Sequence, residues 1–137
     1  MPEHQTLEVR NPEEALNTLS KVLSSKQGGK RVRRGGCDLR RLDEEGSTYE
    51  LVTTYIYKPG RFSKERSVVV VLPLKRSPDG IYKGDLNEAV FRILVDKKGS
   101  LEEEWSGNLK DAENKIPDIA KMYLEDINDL VEAIKGR

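Results

Sequence analysis

The residues of this sequence with the clearest chemical potential are the cations of KQGGKRVRRGGCDLRR, residues 26–41. This segment holds seven Lys or Arg and one acid, Asp38, in a chain whose 24 Lys and Arg are balanced by 24 Asp and Glu. A second basic stretch, residues 58–76, holds six cations and one acid, Glu65. Most of these cations must reach solvent or a polyanion, because an unpaired buried charge is very costly. Guanidinium groups bind phosphate through paired hydrogen bonds and stack on bases, so nucleic acid is one partner that suits such a surface.

The strand TYELVTTYIYK lies between the two basic stretches and gathers three of the five tyrosines. Alternation along a strand puts Tyr49, Tyr55 and Tyr57 on one face and Val52 and Ile56 on the other. If a helix covers the tyrosine face, the rings are core residues. If Val52 and Ile56 point into the core instead, the rings lie open beside arginines, as in proteins that stack single-stranded bases. The sequence leaves both arrangements open.

Catalytic chemistry has few candidate residues in this chain. Its only His and Cys are His4 and Cys37, which cannot supply a structural zinc site or a convincing nucleophile with its base. Cys37 lies among arginines that could lower its pKa, or it is a small, half-buried core residue. The acidic runs at 43–45 and 102–104 are typical of solvated turns and edges. We therefore expect a protein that is not an enzyme and has no metal and no cofactor.

These residues must be positioned by a small set of predicted elements. Asn11 and Pro12 predict a helix start, and an apolar stripe at helical spacing extends that helix over 12–26. A second stripe predicts a terminal helix over 117–135, after a short turn at 111–115, with Asp126 among the acids on its solvent face. β-like segments lie between the helices, with a bulge or turn predicted at Gly35-Gly36. They cover residues 30–42, 47–57, 67–74, 88–96 and 101–105, and the apolar 67–74 segment is predicted to be covered on both faces.

The pattern predicts an α+β fold, an antiparallel sheet of four to five strands flanked by an N-terminal helix and a long C-terminal helix, in a single domain over 1–137. The charge is uneven, since residues 1–83 hold 16 cations and 11 acids, and residues 84–137 hold 8 cations and 13 acids. The 35% of charged residues resembles the composition of thermophile proteins. With one Cys and no long apolar segment, we expect a cytoplasmic protein without a membrane partner.

The Gly-Gly-closed helix, the KRVRR strand, the YELVTTYIY strand and the long terminal helix together resemble ThermoDBP, the single-stranded DNA-binding protein family of Thermoproteales, and its archaeal relatives. The resemblance covers most of the chain. It implies a sheet-and-helix domain, unlike an OB fold, with a cleft of basic and hydrophobic or aromatic residues for single-stranded nucleic acid. The C-terminal zipper through which the founding protein dimerises is not evident here as sustained heptads. The terminal helix is still long enough to pack against a partner, so a homodimer through it is one arrangement we consider.

The hypothesis that follows is sequence-tolerant binding of single-stranded DNA or RNA, with cations on the phosphates and aromatic rings on the bases. The alternatives are a helix-grip-like module with a small-ligand pocket between sheet and helix, and a protein-interaction subunit. A third possibility is that acids elsewhere absorb the cations in ion pairs. The predicted binding residues are Lys30, Arg31, Arg33, Arg34, Arg40, Arg41, Tyr55, Tyr57, Lys58, Arg61, Phe62, Lys64 and Arg66.

Overall fold

The first helix begins where the sequence puts an N-cap beside a proline. In a computed structural model, which describes residues 6–26, 28–29 and 31–136, the Asn11 side chain accepts a hydrogen bond of 3.0 Å from the Glu13 amide. Pro12 occupies the first helical position, where its missing N–H is not needed. Helix α1 spans Pro12–Ser24, so the predicted start is confirmed and the predicted end at 26 is two residues too late.

Seven strands form one antiparallel sheet, two or three more than the sequence predicts. The strand order is β1-β5-β4-β3-β2, while β6 pairs with the first half of β4 and β7 pairs with β6. The strands are β1 Thr6–Val9, β2 Val32–Arg41, β3 Thr48–Tyr57, β4 Arg66–Arg76, β5 Tyr82–Asp85, β6 Val90–Lys97 and β7 Ser100–Gly107. The long strand β4 is therefore central: β3 pairs with it along its length, β6 pairs with its first half, and β5 pairs with its last residues.

Three helices pack on one face of this sheet, which we call the helix face, and leave the other, the open face, uncovered within the described residues. On β3 the side chains of Leu51, Thr53 and Tyr55 are buried, and their neighbours along the strand are only half-buried. On β4 the same alternation buries every second residue from Val68 to Leu74. Within a single chain the prediction that residues 67–74 are covered on both faces is therefore wrong: the side chains of β4 on the open face are only half-buried.

The helix face is covered by α1, by the short helix α2, Leu109–Lys115, and by the terminal helix α3, Pro117–Lys135. The predicted bounds of α3 are confirmed. Its apolar stripe, which includes Tyr123 and Ile127, lies in one cluster with the buried side chains of the sheet. Each fully buried Leu or Ile contributes about 1.5–3 kcal/mol of transfer free energy, which fixes the helix to the sheet. No helix within the described part of the chain is long and apolar enough to cross a membrane.

Candidate nucleic-acid interface

Tyr55, the central ring of the predicted aromatic strand, lies on the helix face. It is fully buried, its hydroxyl donates a hydrogen bond of 2.7 Å to Asp126, and its ring meets Tyr123 edge to face at 6.4 Å. Burial, with the nearby Asp126 charge, raises the pKa of Tyr55 well above its usual value. The arrangement with open tyrosines is therefore wrong, and Tyr55 has no exposed face on which a base could stack.

Arg34 is also removed from the surface, because it pairs with the same carboxylate. Its Nε lies 2.9 Å from one Asp126 oxygen and its second guanidinium nitrogen 2.8 Å from the other. Lys26 adds a third cationic contact to Asp126 at 3.0 Å and also pairs with Asp129. The hydrogen bond to Asp126 raises the pKa of Arg34. Asp126, predicted on the solvent face of α3, is fully buried and is the centre of this network.

The bulge at Gly35-Gly36 decides which cations of β2 face which side. The strand register shifts between Arg34 and Gly36, and Gly36 has φ of 124°, a conformation that only glycine adopts readily. Arg33 precedes the bulge on the open face. After the extra residue, Cys37 turns to the helix face, opposite Thr53. The predicted bulge is thus confirmed. It changes which side chains of β2 after Arg34 point to the helix face and which point to the open face.

Cys37 is half-buried, and its thiol lies 3.9 Å from the Leu16 carbonyl of α1. Burial, together with the charge of Asp38, raises the pKa of this thiol. The hypothesis that arginines lower its pKa is wrong, because burial against α1 disfavours the thiolate and outweighs any effect of nearby cations. The described residues contain no group of three or more His, Cys, Asp or Glu placed to hold a metal ion.

Three further predicted arginines are paired with carboxylates on the protein surface. Arg33 lies 2.8 Å from Glu65, Arg66 lies 3.0 Å from Glu104, and Arg40 pairs with Glu50. These hydrogen bonds lower the pKa of Glu65 and of Glu104. A fourth, Arg41, donates to the main-chain carbonyls of the turn at 43–44. An incoming phosphate would have to displace an existing partner at each of these sites, so they are poor first contacts.

The remaining predicted cations that the structure describes, Arg31, Lys58, Arg61 and Lys64, lie at one end of the sheet. The amide of Lys58 donates to the carbonyl of Arg31 at 2.9 Å, which joins the β3–β4 loop to the start of β2. Arg31, Lys58 and Arg61 make no ion pair with any carboxylate of the residues that the structure describes. Lys64 donates to the Asp96 carbonyl at 3.2 Å and keeps its charge exposed. Lys30 is outside the described residues.

Phe62 lies at the tip of the same loop and is 95% exposed. The guanidinium of Arg61 lies over its ring, 5.6 Å from the centroid, within the range of a cation–π contact. This contact places a cation beside an exposed aromatic ring. Phe62 is the only exposed large aromatic side chain in the described ranges.

A cleft of about 190 Å³ lies beside this loop and extends to the junction of α2 and α3. Arg31 and Lys58 line it from the sheet, Lys115 from the end of α2, and half-buried Tyr57 forms part of its wall. Asp118 is the one acid in its lining. Burial raises the pKa of Tyr57. The cleft is smaller than the ~300 Å³ at which drug-sized ligand sites begin, and suits a fragment such as one phosphate or one base.

Lys115 is the cation of this cleft that the sequence does not predict. It lies 57 residues from Lys58 along the chain, at the end of a helix that the sequence shows only as a short turn. The available signal is weak: a Lys in the last turn before Pro117 also suits the helix dipole.

No protein-family model, no curated protein and no solved structure matches this chain.

Proposed function

We propose that the protein binds single-stranded nucleic acid at the end of the sheet where unpaired cations and an exposed ring meet. We call this surface the basic end; it consists of Arg31, Tyr57, Lys58, Arg61, Phe62, Lys64 and Lys115. The observation that carries the proposal is the contact of Arg61 with the exposed Phe62 beside cations without carboxylate partners in the described residues. Phosphates need the cations, and an unstacked base needs the ring.

The charge balance of the basic end favours a polyanion over a neutral small ligand. Arg31, Lys58 and Lys115 surround a cleft that has a single acid, Asp118. Charges that lie within one Debye length, about 8 Å at physiological salt, act on a ligand together. A flexible strand can place a phosphate in the cleft while a neighbouring base reaches Phe62, whereas a small neutral ligand would gain nothing from the cations.

A single strand fits this surface better than a duplex. Stacking on Phe62 requires an unpaired base, and the exposed side of α3 carries acids such as Glu125 and Asp129 rather than a basic row for a groove. The helix-grip alternative is less well supported, because Leu51, Tyr55 and Tyr123 fill the space between sheet and α3 where a ligand would lie.

Binding of labelled oligo-dT and oligo-U, followed by fluorescence anisotropy at about 50 and 200 mM salt, tests the proposal. Three or four phosphate contacts predict a slope of log K against log salt of roughly −2 to −3, at ~0.7 per contact on a single strand. Comparison of the two oligomers shows which nucleic acid is preferred. A salt-independent signal, or no binding at low salt, would refute the proposal.

The variant Phe62→Ala separates stacking from charge. Loss of one stacked base, worth ~1–3 kcal/mol, predicts about 5- to 150-fold weaker binding with an unchanged salt slope. Arg31→Ala with Lys58→Ala should instead reduce the slope by roughly 1.4, at ~0.7 per lost contact. The matched control is Arg76→Ala with Lys83→Ala, which removes two exposed cations at the opposite end of β4. If the control weakens binding as much as the test pair, the basic end is not the site.

A further inference from the structure

The open face of the sheet carries a band of aliphatic side chains. From β3 it takes Val52 and Ile56, from β4 Val69 and Val71, and from β6 Val90 and Leu94. Val90 is 42% exposed and the other five are half-buried, although no described helix covers them. A band of this size on one face is larger than the scattered apolar residues of an ordinary surface.

The arginines of the open face are already neutralised on that face. Arg33 pairs with Glu65 at 2.8 Å and Arg92 with Glu103 at 2.6 Å, while Arg40 pairs with Glu50. Asp38 adds one more acid opposite Val52. A surface with an aliphatic centre and paired charges around it attracts a polyanion little and suits a partner with the same mixed character. The open face is therefore separate from the basic end.

The strand register makes this surface complementary to itself. A two-fold axis in the plane of the interface and parallel to β4 would put β3 of one copy over β6 of the other, and β2 over β7. One directly paired row across the sheet reads Arg33, Ile56, Ser67, Leu94, Glu103. Under this axis Ile56 meets Leu94 of the second copy, and Arg33 meets Glu103. The opposite charges at the two ends of the row are thus brought together.

The next aliphatic row has the same symmetry. Val52, Val71 and Val90 are directly paired across β3, β4 and β6. The axis brings Val52 of one copy to Val90 of the other, and Val71, on the central strand, to its own equivalent. We propose that the open face binds a second copy of this chain, and that the protein is a homodimer with two sheets packed face to face, ~10 Å apart.

The available area overlaps the range of standard specific interfaces. Five strands at ~4.8 Å spacing give a width of about 24 Å, and the β4–β6 and β3–β4 ladders of six and ten paired residues give lengths of about 20 and 33 Å. This amounts to roughly 500–800 Å² per copy, or 1,000–1,600 Å² in total, compared with about 1,200–2,000 Å² for standard specific interfaces. The outer side of α3 has no comparable band, since its apolar stripe lies against the sheet of its own chain.

Sedimentation equilibrium of the full chain tests the proposal. We expect the wild type to have twice the 15.5 kDa mass of one chain at about 100 μM. Val71→Lys puts two like charges together on the axis and should weaken dimerisation at least ~100-fold, with an unchanged folded circular dichroism spectrum. If that variant does not fold, Val69→Thr with Val71→Thr keeps β-branched side chains and removes the apolar centre, so the dimer should still weaken. Ala133→Lys, on the exposed side of α3, is the control and should leave the dimer intact.

A charge exchange tests the register. Arg33→Glu and Glu103→Arg should each weaken the dimer about 10-fold, and the double variant should recover most of that loss. Four results would each overturn the proposed dimer. The wild type could be monomeric, or the dimer could be unaffected by either Val71 variant. The Ala133→Lys variant could be monomeric, or the losses in the charge exchange could be additive. Nucleic-acid binding by the basic end is measured independently, so either proposal can fail while the other holds.

Discussion

Replacement of Asp126 by Asn should destabilise the protein more than any other single amide-for-carboxylate exchange on α3. The carboxylate accepts hydrogen bonds from Arg34, Lys26 and Tyr55, at 2.7–3.1 Å, and is fully buried. Asn keeps an acceptor for the tyrosine hydroxyl, but it removes the carboxylate charge that pairs with the Arg34 guanidinium, whose side chain is 9% exposed. Removal of one partner from a buried ion pair costs about 3–5 kcal/mol.

The low end of that range applies here, because Lys26 is 22% exposed and keeps Asp129 as a partner. We therefore expect a loss of about 3 kcal/mol in the free energy of unfolding. At 137 residues this corresponds to a melting temperature about 10 °C lower. Urea unfolding followed by circular dichroism measures the loss, and the m-value should not change, because the same core is exposed on unfolding.

The matched control is Asp129→Asn, which removes a carboxylate from the same helix at a side chain 48% exposed. It should cost less than ~1 kcal/mol. A second variant, Arg34→Met in the Asp126→Asn background, removes the cation that Asp126 pairs with and should recover at least ~2 kcal/mol of the lost free energy of unfolding. Two results would contradict this reasoning. The free energy of unfolding of Asp126→Asn could lie within ~1 kcal/mol of that of the control, or Arg34→Met could lower the free energy of unfolding of the Asp126→Asn variant further instead of raising it.

Three further measurements test local features. Gly36→Ala should lower the free energy of unfolding by about 1–2 kcal/mol in urea, since φ of 124° strains any side chain. Cys37 should react with a disulfide reagent at pH 8 more slowly than a free thiol, because burial raises its pKa; a rate equal to that of glutathione would contradict this. Arg66 lowers the pKa of Glu104 in the folded state, so this pair stabilises the protein above the unfolded pKa of about 4.3 and loses its effect as pH falls through the folded pKa. Stability measured between pH 7 and pH 3 should therefore fall less in Glu104→Gln than in the wild type.

Local signals predict the helices well and the strand count poorly. The α1 start and both ends of α3 follow from Pro12, Pro117 and the apolar stripes, which act within a few residues. The unpredicted strands β1 and β5 are four residues each and pair with each other. β1, TLEV, alternates as a strand does but is too short for the alternation to be decisive. β5, YKGD, has no β-rich composition and includes Gly84, at which a Cβ would lie 2.7 Å from a Leu74 methyl group. Tertiary pairing, which no local pattern shows, makes these residues strands.

The spacing of Asp126 from apolar residues of α3 is a sequence signal for its buried position, although its charge suggests an exposed one. Asp126 lies three residues after Tyr123 and four before Leu130, on the same side of the helix as the apolar stripe. An acid within such a stripe must find a cation or a donor in the core. The structure supplies these partners in Arg34, Lys26 and the Tyr55 hydroxyl, which is 2.7 Å from the carboxylate; no local pattern around Tyr55 links it to Asp126.

The arginine-rich segment shows why charge counted along the chain does not locate a binding surface. Arg33 finds its carboxylate 32 residues away, Arg66 at 38 and Arg34 at 92. Strand pairing and helix packing supply these acids, so cations within the regular elements are neutralised by residues that are remote in sequence. In the loop after β3, Lys58 and Arg61 form no ion pair with a carboxylate of the described residues. Cations in such a loop keep their charge for a ligand, and for this reason the loop, rather than the denser basic strand, is where a polyanion should bind.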